Sequence, residues 1–375
     1  MNNIYQSIKS IIRYYLIKDN DVLLTDDINE LLTTSNKLCV SSFVSYVLNE
    51  KGIEGVDAPL LASFRNEKLQ SSTKLEIIKL FESNIIEFMY VKGTSLLKYY
   101  KDPYLRVGSD IDVVVKGSDY KKASKLLLDN GYKKEMTVDS ECHLVSPSGI
   151  LIDLHNSFIE TSNILDSYLN TKFNNEHELS LEDLYLLLIT HSVKHFKRGV
   201  MDLRIFIDLY FIKDKINDYS NIKDMLSKLG LIEYEKTILR YLDLILGKED
   251  CDDTLRLLED YIIERTNDIN ENKNHIIGKV ARDGLKDVSL PSYIISRIFI
   301  PKKRMYEEFS YLNKHKYLLP IYYIYRPFLM IYKSKFKFNK IKEELDIVSI
   351  LNNNEELDNM INLYKKIGLY NHIDV

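Results

Sequence analysis

Residues 109–115, Ser-Asp-Ile-Asp-Val-Val-Val, narrow what this chain can become more than any other stretch. The β-branched run Ile111 to Val115 has strand length and strand composition. A strand repeats every two residues, so Asp110 and Asp112 leave one face together while Ile111 and Val113 enter the core. Two carboxylates side by side in a partly buried place repel each other, and a hard divalent cation bound through oxygen relieves that repulsion. Just upstream, Lys92-Gly93-Thr94-Ser95-Leu96-Leu97 reads as a small-residue turn opening a helix. Such a turn offers backbone N–H groups, hydroxyls and a positive helix end to phosphate, and Lys92 and Arg106 add positive charge. A phosphate turn followed by a doubly acidic strand is the layout of a metal-dependent phosphoryl-transfer site.

Around this centre the chain changes period several times. Residues 1–90 carry helical spacing in pieces: Ile4, Ile8, Ile11 and Ile12; Phe43, Val44, Val47 and Leu48; Leu75, Ile78, Leu80 and Phe81. Met89-Tyr90-Val91 is a short apolar run ending at Lys92-Gly93, and Ser118 is placed to cap a helix that Asn130-Gly131 would stop. Gly149 then turns the chain into a second strong strand, Ile150 to His155, which carries Asp153. Strand, helix and strand in one compact segment imply a small mixed sheet with helices packed on it, an α+β fold. Helical periodicity returns in Leu181 to Phe196 and Met201 to Ile212 and continues through 220–275. The expected division is a helical region 1–85, an α/β core 86–178, a helical domain 179–290 and a basic, aromatic helical region 291–375.

With 375 residues, the chain is long enough for two or three cores. Its 45% hydrophobic and 28% charged residues and net charge of −4 are ordinary for a globular protein, so local charge must carry the argument. Cys39, Cys142 and Cys251 are scattered and lack metal-ligand spacing, which suits a reducing compartment. The first residues lack the features of a signal peptide and no apolar run reaches membrane-spanning length, so the expected location is the cytoplasm.

The series Val91-Lys92-Gly93, Tyr-Lys-Asp-Pro-Tyr-Leu-Arg106, Ser109-Asp110-Ile-Asp112-Val-Val-Val, Asn130-Gly131-Tyr132, His143 and Ile152-Asp153-Leu-His155 resembles the bacterial nucleotidyltransferase-like family of the DNA polymerase beta superfamily. The helix Leu181 to His195, followed by Arg204 and Asp208, resembles that family's second part, and the likeness runs roughly from 40 to 215. The resemblance implies a polymerase-beta-like nucleotidyltransferase core. It also implies Mg²⁺, two ions in the two-metal form, and transfer of a nucleoside monophosphate from an NTP such as ATP with release of pyrophosphate. Carried over residue by residue, Asp110 and Asp112 are metal ligands, and Asp153 is the third catalytic carboxylate and a metal ligand. The expected nucleotide-binding set, read from the turn, the nearby charges and the downstream helix, is Lys92, Gly93, Thr94, Ser95, Arg106, Ser109, His155, His191, His195 and Arg204. One departure stands out: the superfamily's Ser after the Gly is Thr94 here, which keeps the hydroxyl and adds a methyl. The acceptor, whether small molecule, sugar phosphate, protein or RNA, does not follow from fold.

Several readings stay open on the residues alone. The chain can be read as a non-catalytic nucleotide or nucleic-acid binding module, or as a toxin-like transferase acting on tRNA. His155 shares a strand face with Asp153, and either bonds a carboxylate or acceptor there or is a buried structural histidine. His191 and His195 have the i, i+4 spacing of zinc helices, but Ser192 stands where a zinc protease needs Glu; lining the nucleotide or acceptor cleft is the stronger reading. Arg204 and Asp208 are one helical turn apart and able to pair. His143, at a hairpin edge, suggests no chemistry. Segment 291–342 holds twelve Lys and Arg against Glu307 and Glu308, with thirteen Tyr and Phe interleaved. It reads either as a nucleic-acid or anionic-membrane contact or as a helical subdomain with solvated charges. Pro320, Arg326 and Pro327 interrupt its most apolar part.

Overall fold

A computed structural model describes residues 2–106, 108, 110–138, 141–158, 163–197, 201–264, 299–300, 302, 305–306, 309–313, 315–333 and 355–370. The chain divides into two compact units, a larger one built on residues 1–196 and 200–268 and a smaller one built on 269–373. In the larger unit, four helices, α1 (Asn2–Ile17), α2 (Ile28–Lys37), α3 (Ser41–Glu50) and α4 (Ala58–Ser83), lead into the sheet.

The sheet has five strands: β1 (Phe88–Tyr90), β2 (Asp110–Val115), β3 (Lys133–Val138), β4 (Glu141–Val145) and β5 (Leu151–His155), in the order β1-β2-β5-β4-β3. The short helix α5 (Gly93–Leu96) lies between β1 and β2, and α6 (Tyr120–Asp129) follows β2. β2 pairs in parallel with β5, and every other pairing is antiparallel. Alternation divides the sheet chemically. Ile111, Val113, Val115, Leu144, Ile152 and Leu154 pack with Ile77 and Phe81 of α4 and Ala123 and Leu127 of α6 in one buried cluster. Burying each of these larger side chains stabilises the fold by about 1.5–3 kcal/mol. The register Asp112↔Asp153 and His143↔Asp153 sends those three residues to the opposite face.

Two local expectations change in the structure. The stripe that α4 buries is Gln70, Thr73, Ile77 and Phe81, while Leu75 is 60% exposed. The sheet meets α4 along the line through Ile77 and Phe81, and Leu75, two residues before Ile77, points about 200° around the helix from it. Ser118 does not cap α6: the N-cap is Asp119, whose side chain instead accepts from the Glu87 backbone N–H and ties the helix start to β1. Gly131 ends α6 with φ +88°, a conformation that costs glycine little.

Downstream come α7 (Asn163–Leu169), α8 (Leu181–Lys197), α9 (Arg204–Lys213), α10 (Ser220–Lys228), α11 (Ile232–Ile245) and α12 (Asp253–Glu264). They pack back on the first helices: α1 meets α11, Tyr5 and Tyr241 share a buried hydroxyl hydrogen bond of 2.6 Å, and Lys9 pairs with Glu259 at 2.9 Å. In the smaller unit, α13 (Leu319–Lys333) and α14 (Glu355–Lys366) are described, with a core at Ile300, Met305 and Leu312. Pro327 lies inside α13 rather than ending it, because a proline removes a single backbone donor and the flanking turns carry the helix on. Much of 291–342, including most of its basic residues, lies outside the described residues, and so does the nucleic-acid or membrane reading placed on it. Among the described residues no helix is long and apolar enough to cross a membrane.

Candidate active site

Strand pairing assembles residues held far apart in the sequence, 43 positions in the case of Asp112 and His155. Asp112 and Asp153 are Cα partners on adjacent strands, and His155, two residues on from Asp153, shares their face. His155 Nε2 donates to Asp112 Oδ1 at 3.0 Å. From the next strand, His143 Nδ1 donates to Asp153 Oδ1 at 2.6 Å, so this histidine, silent in the sequence reading, touches a central carboxylate. Among the described residues, Asp112, Asp153 and His155 form the group whose donor atoms lie within 4.8 Å of one another. Asp110 opens β2 on the same face, opposite Leu151. The donor set fits a divalent cation: two carboxylate oxygens and an imidazole nitrogen within reach of one ion.

The electrostatics show how closely these groups are coupled. Burial raises the Asp110 pKa, and the neighbouring charges of Asp112 and Asp153 raise it further against Lys92 and Arg204. At Asp112, burial also acts to raise the pKa, but Lys92 and His155 outweigh it and hold the carboxyl well below the usual range. The Lys92 ammonium sits directly on Asp112 Oδ1. Burial works against its charge, yet Asp112, then Asp110 and Asp153, lift its pKa above the ordinary lysine value. The cluster thus carries three acids against one close ammonium, a deficit of positive charge that a bound cation would fill.

Lys92 occupies φ +55°, ψ −125°, a region that costs a non-glycine residue about 1–3 kcal/mol. The turn after it buries the Thr94 and Ser95 hydroxyls, and neither makes a hydrogen bond among the described residues. A buried hydroxyl without a partner costs about 1–3 kcal/mol. Strain at Lys92 and two buried hydroxyls thus sit together in this turn.

Arg106 is held by an acid of the helical part. It clamps Asp208 through Nε to Oδ1 at 2.7 Å and Nη2 to Oδ2 at 2.9 Å, with the Tyr100 hydroxyl donating to the same carboxylate. Its third nitrogen, Nη1, lies where a Cβ on Gly93 would stand 2.7 Å away, so a side chain at Gly93 would have to displace the guanidinium that clamps Asp208. The loop carrying Arg106 is held in turn by α4 and α3. Ser63 donates to the Tyr104 carbonyl, Asn66 and Gln70 to that of Gly108, and Ser42 to that of Leu105. None of these polar residues had a signal in the sequence, because their partners are backbone carbonyls about 40 or more residues away.

The expected Arg204–Asp208 pair does not form. Asp208 is taken by Arg106, and Arg204 lies 3.6 Å from Asp202, the closer acid on its own turn. His191 and His195 bond each other, Nε2 to Nε2 at 2.8 Å. Burial, then the nearby Lys92 and His195, push the His191 pKa well below its usual value, so this ring faces the site uncharged. Ser109 lies outside the described residues.

No curated protein and no solved structure matches this chain. Residues 25–260, however, match a family described as uncharacterised nucleotidyltransferase, over a span that runs from α2 into α12 and takes in the whole sheet. The sheet, the acidic pair and the turn at Lys92–Leu96 all lie within that span, and the chain belongs to the uncharacterised nucleotidyltransferase family.

Proposed function

We propose that the protein transfers a nucleoside monophosphate from an NTP to an acceptor and releases pyrophosphate, with a divalent cation held by Asp110, Asp112 and Asp153. The observation that carries this reading is the register of β2 and β5, which sets Asp112 beside Asp153 next to the unpartnered hydroxyls of Thr94 and Ser95. A bound cation would neutralise phosphate oxygens and lower the barrier to in-line displacement. The chain supplies the rest. Thr94, Ser95 and the backbone of the turn hold the terminal phosphates, and Lys92 exchanges Asp112 for a phosphate oxygen. Asp153 takes the proton of the acceptor hydroxyl as that oxygen bonds the α-phosphorus and the bond to the β-bridging oxygen breaks. His143, donating to Asp153, holds that carboxylate in orientation.

The test is pyrophosphate release from each NTP in turn, with a divalent cation present and cell extract as acceptor source. Release that disappears in Asp112→Asn supports the reading; absence of Asp112-dependent release with every NTP and every extract fraction counts against it. The same assay, run with purified tRNA and with protein fractions separately, assigns the acceptor class.

A further inference from the structure

The donor set of the site is not all oxygen. Asp112, Asp153 and His155 each offer one atom within 4.8 Å of the others, and His155 Nε2 stands 3.0 Å from Asp112 Oδ1. Two adjacent ligands about 2.1 Å from an octahedral ion lie about 3.0 Å apart, so this spacing already suits a shared ion. Resting on the reading of this face as a metal-dependent transfer site, we propose that His155 is a metal ligand and that its nitrogen makes the site prefer a first-row transition dication such as Mn²⁺ over Mg²⁺.

Mg²⁺ demands oxygen donors in a strict octahedron and gives up its waters reluctantly, whereas imidazole favours ions further along the transition series. His155 is 8% exposed and lies on β5, between β2 and β4, with its ring already against Asp112. In the ion-free protein its Nε2–H donates to Asp112. Loading exchanges that bond for the ion, and the neutral ring then carries its proton on Nδ1. His143 supplies the outer support, because a carboxylate ligand that accepts a second hydrogen bond is held in orientation.

The experiment uses the full chain and Mn²⁺ as a paramagnetic probe, with Mg²⁺ as competitor. Wild-type protein should bind Mn²⁺ at least about tenfold more tightly than Mg²⁺ and show electron spin echo modulation from a directly bound histidine ¹⁴N. In His155→Asn the modulation should vanish and Mn²⁺ affinity fall by about 10–100-fold, while Mg²⁺ affinity changes far less. The wild-type spectrum needs no variant to fold, so it decides independently. Mn²⁺ bound in an Asp112-dependent way without histidine nitrogen overturns the inference and leaves the transfer reading intact. Divalent-ion binding that is absent, or unchanged in Asp112→Asn, removes both.

Discussion

Two buried ion pairs in the larger unit differ in a way that separates scaffold from site. Arg106–Asp208 joins residues 102 apart, its side chains are 7% and 3% exposed, and the carboxylate is saturated by two guanidinium bonds and the Tyr100 hydroxyl. Lys92–Asp112 joins residues 20 apart through one ammonium on one oxygen, with a strained backbone at Lys92 and orphaned hydroxyls beside it. A planar fork fully matched to its partner has nothing to gain from a ligand. On the proposed function, a point charge on a flexible stem, holding an acid that other acids crowd, would gain a better partner when phosphate and cation bind. The first pair holds the turn in place; the second is the one binding would rearrange.

The contrast can be broken at several points, the largest effect first. Asp208→Ala should leave Arg106 buried and unpaired, at a cost of about 3–5 kcal/mol, read as a fall in the thermal midpoint. The double variant Arg106→Met, Asp208→Leu should recover most of that loss; equal instability would show that the charges are not the reason. Asp112→Asn should lower pyrophosphate release by about 10²–10³-fold while moving the midpoint less than Asp208→Ala does. A larger loss of stability than of activity would make this second pair scaffold too.

Lys92→Met should raise divalent-ion affinity by about tenfold in a Mn²⁺ titration, since a competing charge leaves Asp112, and should raise the KM for NTP. Weaker ion binding in this variant would mean that the ammonium orders the site rather than occupying it. The smallest effect is at Glu235, a buried acid whose described partners are the Tyr185 and Tyr219 hydroxyls rather than a cation. Burial raises its pKa despite Tyr185, so the stability it supports is complete below the unfolded Glu value of about 4.3 and is lost as pH rises through the higher folded one. Glu235→Gln should therefore raise the midpoint at pH 7 by about 2–4 °C, with the difference closing near pH 4. No difference at pH 7 would show that hydroxyls alone satisfy a buried carboxylate here.

What could be read along the chain followed from local periodicity. Alternation put Asp110 and Asp112 on one face, a β-branched run made them strand residues, Gly131 and Gly149 marked turns that both adopt positive φ, and Thr94 kept its hydroxyl in the turn. These are properties of a few consecutive residues, and stereochemistry settles them without reference to the rest of the protein. The cap at α6 and the buried stripe of α4 were misread for the complementary reason. Asp119 is chosen over Ser118 by a bond to β1, and Ile77 over Leu75 by where the sheet lies.

Partnership across the chain was of another kind. Whether Asp153 meets Asp112 depended on strand register, in which a slip of one residue would send it to the core face. His143 gained its carboxylate, and Asp208 its arginine, only when β4 lay beside β5 and α9 closed on the loop before β2. A charged side chain within reach of several opposite charges goes to whichever one packing brings nearest and buries with it, and no spacing in a one-dimensional string carries that distance.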